Sequence, residues 1–92
     1  MHEDIRDVVV TYAGGRRGPW KHDYAGSTPL STVRTDAMGH FGIADSAEGG
    51  NQVIFRLYHG GDRIENLSQS VDEVGAGRGA VALRLVREVI AG

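Results

Sequence analysis

The sequence predicts an α+β domain in which a mixed sheet is crossed by one main helix. Three observations carry this. Two strand-like segments near the start, Asp7–Tyr12 and Pro19–Tyr24, are joined by a glycine-rich turn. One helix-like segment with a single apolar face follows. The chain then closes on GAVALRLVREVIAG, Gly79–Gly92, where Val81, Leu83 and Leu85 alternate with Ala82 and Arg84 as in a half-buried strand.

Composition sets the frame. Ninety-two residues, 40% hydrophobic and 24% charged, suit one small domain spanning residues 1–92. The net charge of −2 argues against nucleic acid as the main partner. Met1-His2-Glu3-Asp4 is no signal-peptide start, and no apolar run is long enough to span a bilayer, so no membrane role is expected. The chain has no cysteine, which removes disulfides, thiol catalysis and thiolate metal sites. A cytoplasmic location and a monomer are expected. Four histidines at 2, 22, 40 and 59 show no ligand spacing, so no metal and no cofactor is expected. Nine arginines stand against one lysine, Lys21.

Residues 1–6 are polar and expected to fray. In DVVVTY, Asp7–Tyr12, Val8, Val10 and Tyr12 share a face. The AGGRRG turn has positions for φ > 0. A phosphate cradle is disfavoured there, because the GK[ST] ending is missing. The returning strand puts Trp20, His22 and Tyr24 on one face, with His22 expected as a partly buried, satisfied histidine. A helix is expected at 29–41. Ser27 or Thr28 would cap it, Pro29 would stand at its first position, and Leu30, Val33 and Ala37 would face inward. Gly42 fits a left-handed C-cap, with Ile43 folding back and His40 near the negative end of the helix dipole.

Ala44–Gln52 reads as a polar connector. Val53–Tyr58 reads as the third strand, with Val53, Phe55 and Leu57 on one face and Ile54, Arg56 and Tyr58 on the other. A turn at His59–Asp62 leads to a short strand, Arg63–Glu65. Ser70-Val71-Asp72-Glu73 matches a capping box and predicts one helical turn. GAGRG then turns into the last strand, and 86–92 is expected to be a mobile tail, because the alternation stops after Leu85. Val86, Val89 and Ile90 oppose that reading, since three β-branched residues can prolong a strand. Val10, Leu30, Val33, Leu57, Leu83 and Leu85 are the expected core.

This order and spacing resembles the ubiquitin-like β-grasp family, over residues 7–92. Leu30, Val33, Ala37, Gly42 and Ile43 resemble its helix core, C-cap glycine and following apolar residue. LYHGGDRI, Leu57–Ile64, looks like its third strand and turn, and RLVREVIAG stands where its tail would be. The first hairpin loop, the connector and the tail are longer here, and the end is Ala-Gly in place of Gly-Gly. The resemblance implies a distant member, similar to bacterial proteins that accompany activating and conjugating enzymes.

On that resemblance the chain would be a protein modifier, not an enzyme. An E1-like activating enzyme would adenylate the Gly92 carboxylate and capture it as a thioester. An E2-like enzyme would then pass it to an amine of a target protein. Arg56 would lie at a docking position, Tyr58 at the centre of the recognition patch, and Arg84 or Ala82 beside it. Solvated sheet positions are the plainer reading of Arg56 and Arg84. A sulfur carrier of the same fold and a non-conjugated β-grasp interaction module are the alternatives. For the module, Gly92 would be an ordinary terminus.

Overall fold

The computed structural model describes residues 4–15 and 17–91. A hairpin of β1 (Ile5–Tyr12) and β2 (Trp20–Ala25) leads into helix α1 (Leu30–Phe41). Strands β3 (Ser46–Glu48), β4 (Asn51–His59) and β5 (Asp62–Arg63) follow, then a short helix α2 (Val71–Gly75) and strand β6 (Ala80–Ala91). The sheet order is β2-β1-β6-β4-β3, with β5 also pairing β4. Strand β6 runs parallel to β1 and antiparallel to β4, so the sheet is mixed. A parallel neighbour needs a long crossover, and everything between β1 and β6 supplies it.

The alternation places the core. Val8 and Val10, Phe55 and Leu57, and Val81, Leu83 and Leu85 are all buried on one sheet face. Leu30, Val33, Ala37 and Met38 of α1 join the same cluster, with Val71, Ile64 and Tyr24 closing its rim. A fully buried Leu or Val of this kind contributes about 1.5–3 kcal/mol over an exposed one. The whole expected core set is buried.

Helix α1 starts without the expected serine or threonine cap. Pro29 is the residue before its first turn, with extended backbone and no side-chain cap. Its free N–H groups are met from elsewhere: Leu30 donates to Gln69 O at 2.8 Å and Ser31 to Leu67 O at 3.0 Å. In return, Val71 and Asp72 at the start of α2 donate to Thr28 O and Gly26 O. The two helix starts therefore fix each other. Gly42 ends α1 in the left-handed region, and Ile43 donates back to Met38 O at 3.0 Å. The expected capping box is present in α2, where Ser70 and Glu73 bond reciprocally.

Several expectations are corrected. The strand β6 continues through Ala91, so residues 86–91 are not a tail. Each has a partner on β4, from Val86 opposite Arg56 to Ala91 opposite Asn51. The β-branched residues Val86, Val89 and Ile90 prevail because β4 is longer than expected and offers them an edge. That length comes from a hairpin inside the supposed connector: Gly49 and Gly50, both at positive φ, turn β3 tightly onto β4. Residues 5 and 6 belong to β1 and are not frayed. The strand after the turn is Asp62–Arg63, and Ile64 leaves it to enter the core, its N–H bonded to Leu57 O. His22 is exposed, because β2 is the sheet edge, and it stacks on Trp20 at 5.4 Å. Met1–Glu3 and Gly92 lie outside the described residues.

Candidate functional site

The side of the sheet away from α1 carries the expected docking residues. Strand pairing aligns Thr11, Arg84, Tyr58 and Arg63 in one row across β1, β6, β4 and β5. Period 2 then sends all four side chains to the outer face, because Leu57, Leu83 and Leu85 point inward. Arg84 sits over the Tyr58 ring, its guanidinium carbon 5.5 Å from the ring centroid. This cation–π contact holds two flat groups side by side at the surface.

Arg56 lies two residues along β4 on the same face. Its Nε donates to Glu88 Oε2 at 3.0 Å. Arg63 bonds Glu65 at 2.6 Å and also approaches Glu88 at 3.9 Å. The bond and the charge of Arg63 hold the Glu65 carboxyl below its usual range, and Glu65 in turn raises Arg63. Ala82 stands on the same face beside Val9 of β1. Arg56, Tyr58, Arg84 and Ala82 are thus brought onto one face, while Gly92 lies outside the described residues. Glu88 and Arg63 were missed in the sequence reading. Glu88 was hidden by the tail assignment, and only the β-branched residues around it signalled a strand.

At the other end of this face, Asp7 and Asp23 stand directly opposite each other on β1 and β2. Asp23 raises the Asp7 carboxyl above its usual range, first by a shared hydrogen bond and then by like charge, with a further contribution from desolvation. The pair flanks an open groove of about 600 Å³ that Lys21 also lines.

On the inner side, Trp20, Tyr24, His40 and Phe41 gather where β2 meets the end of α1. Tyr24 donates to Asp36 Oδ2 at 2.7 Å, and burial followed by that bond pushes its phenol well above the usual range. His40 Nε2 is buried without a partner among the described residues. Its backbone carbonyl accepts from Arg17 at 3.1 Å.

This outer face offers a planar cation, an aromatic ring and a rim of ion pairs. Among the described residues this face sets up no nucleophile beside a base. No group of three or more His, Asp or Glu side chains among the described residues is placed to hold a metal. No helix among them is long and apolar enough to cross a membrane.

No family sequence model matches the chain, and no curated protein matches it in sequence. Solved structures do. A ubiquitin from Caldiarchaeum subterraneum superposes with a TM-score of 0.67 at 15% identity, over 96% of this chain and 99% of that one. A ubiquitin-like domain from tubulin-binding cofactor B superposes with a TM-score of 0.58 at 14% identity, over 92% of this chain and 91% of that one. The fold is the ubiquitin-like β-grasp.

Proposed function

We propose that this chain is a ubiquitin-like protein-interaction domain that docks a partner protein through Arg56, Tyr58, Arg84 and Ala82, and that it does so as a binding protein, not as an enzyme. The observation that carries this reading is the Tyr58–Arg84 pair, two hot-spot residue types stacked on the outer face of a rigid sheet. Their backbone positions are set by core neighbours on both sides, so little order has to be created on binding. Arg56 is partly engaged with Glu88 and would contribute mainly at the rim.

The test compares cross-linked capture in the source cells for the wild type, Tyr58→Ala and Arg84→Ala. Partners bound through this face are lost from both variants, while the thermal midpoint stays within a degree or two of wild type. Recovery of the same proteins by all three chains would refute this docking face.

Conjugation through Gly92 is the second reading. It is favoured by the likeness in fold to an archaeal ubiquitin over nearly the whole of both chains. The pairing of Val86–Ala91 with β4 makes it more demanding, because the end of β6 would have to fray before its terminus could enter an activating enzyme. Denaturing gels of tagged protein from source cells test it. Adducts that survive denaturation and vanish when Gly92 is deleted support the modifier; their absence leaves non-covalent docking.

A further inference from the structure

Strand β6 is offset between its neighbours: it pairs β1 through Ala80–Leu85 and β4 through Arg84–Ala91, so that only Arg84 and Leu85 have a partner on both sides. Strand β1 pairs β6 only as far as Tyr12 opposite Leu85. Beyond it, Val86–Ala91 pairs with β4 on one side. On the other side, among the described residues, no strand follows. At the step where β1 leaves the sheet there is an open cavity of about 430 Å³, lined by Tyr12, Ala13, Gly14, Val86 and Arg87. A strand edge of this length exposes unpaired N–H and C=O groups, and it carries no proline or bulge to turn a neighbour away.

We propose that this edge pairs with the same edge of a second copy, antiparallel about a two-fold axis, so that two sheets join into one. The side-chain pattern selects the register. Residues directly opposite in an antiparallel pair point to the same face, so a two-fold pairing must centre on one residue. Centred on Arg87 it sets arginine against arginine, and centred on Glu88 it sets glutamate against glutamate; like charges directly opposite are destabilising. Centred on Val86 it would collide with β1, which already occupies the place beside Leu85.

Centred on Val89 the pairing meets none of these obstacles, and it joins residues 87–91 of each copy where a pairing centred on Ile90 would join only 89–91. Val89 of one copy faces Val89 of the other, Glu88 faces Ile90, and Arg87 faces Ala91. Val89 is 49% exposed, and among the described residues only one other large apolar side chain, Ile5, stands as open to water. Its β4 neighbour Val53 is buried, so the new contact continues an apolar row already begun. Glu88 is held by Arg56 and approached by Arg63, so its charge is partly met within each copy. Five residues on each side make a small interface, and the association is weak.

Sedimentation equilibrium of the full chain, from micromolar to millimolar concentration, tests the proposal. The weight-average mass is expected to climb from 9.9 kDa toward twice that value. Val89→Lys should weaken association at least about tenfold, because two like charges would then face each other across the axis, while its thermal midpoint shows that the domain still folds. Register is read separately from Val89→Cys treated with oxidised glutathione, in a chain with no other cysteine. Opposed Cβ atoms lie about 4.5–5.5 Å apart, close to disulfide reach. This variant should form disulfide dimers at least about tenfold faster than a Glu73→Cys control on α2. A mass fixed at 9.9 kDa at millimolar concentration, association untouched by Val89→Lys, or equal cross-linking of the two cysteine variants would each overturn the two-fold edge.

Discussion

The two halves of β6 are one continuous strand in different surroundings. From Ala80 to Leu85 the strand pairs β1, with β4 beside it only at Arg84 and Leu85, and Val81, Leu83 and Leu85 are nearly closed to water. From Val86 to Ala91 it keeps only β4, and Val89, which points to the same side as Leu83, is half exposed. The difference is not one of strand propensity, since Val89 and Ile90 favour a strand at least as well as Leu83 and Leu85. It comes from what covers each half. The first packs into the core cluster, and the second is an extension whose inward side chain Val89 is left half open to water.

Truncation should separate them most strongly. Leu83→Ala is expected to cost about 2–5 kcal/mol, whereas Val89→Ala, with half its surface in water, should cost well under half as much. Chemical denaturation of the two variants measures both. Equal losses would mean that the second half is as buried as the first.

Packing around the first half can be tightened as a second probe. A Cβ added at Gly75 would lie 2.5 Å from Val81 Cγ2, so α2 can approach β6 only because that position has no side chain. Gly75→Ala should cost about 1–3 kcal/mol by overpacking. A neutral result would show that α2 is free to move off β6.

The far end of the sheet offers a pH test. The Asp7 carboxyl is raised, so its contribution to stability is fully present below the ordinary value of 3.8 and is lost as pH rises through its folded value. Glu65 is lowered and has the opposite sign: its contribution is present above its ordinary value of 4.5 and is lost as pH falls through its folded value. Asp23→Asn removes the like charge. It should raise the thermal midpoint slightly at neutral pH and flatten the loss that follows Asp7 ionisation. An unchanged pH profile would mean that Asp7 and Asp23 do not share a proton.

The smallest effect is expected at Ala76, which ends α2 in the left-handed region at φ 52° without being glycine. Ala76→Gly relieves a strain of about 1–2 kcal/mol but restores flexibility to the unfolded chain, leaving a gain of under about 1 kcal/mol. Urea midpoints resolve it, and a loss of stability would contradict the left-handed cap.

Much of this was legible in the sequence where burial imposes a period. Val8 and Val10, Phe55 and Leu57, and Leu83 and Leu85 sit where alternation puts them, and Gly42 caps the helix it follows. The outer positions of Arg56, Tyr58 and Arg84 follow from the same alternation. Their adjacency does not, because it depends on the register between β4 and β6. The extension was misread for a related reason. Faces that are half exposed on both sides leave a weak pattern, and the Gly49-Gly50 hairpin that lengthens its partner strand lies in a stretch that reads only as polar. The α1 cap was invisible for another reason: its acceptors are backbone carbonyls of residues 67 and 69, distant in sequence and independent of side-chain type.

Residue-resolved amide exchange along β6, measured by NMR on dilute protein, tests most directly whether the strand is one element with two environments. Amides of residues 80–85 that bond to β1 or β4 should exchange only through global unfolding. Those of 86–91 that bond to β4 should show measurable but lower protection, rising with protein concentration if the free edge pairs. Unprotected, random-coil exchange throughout 86–91 would contradict the continuous strand and restore a mobile tail.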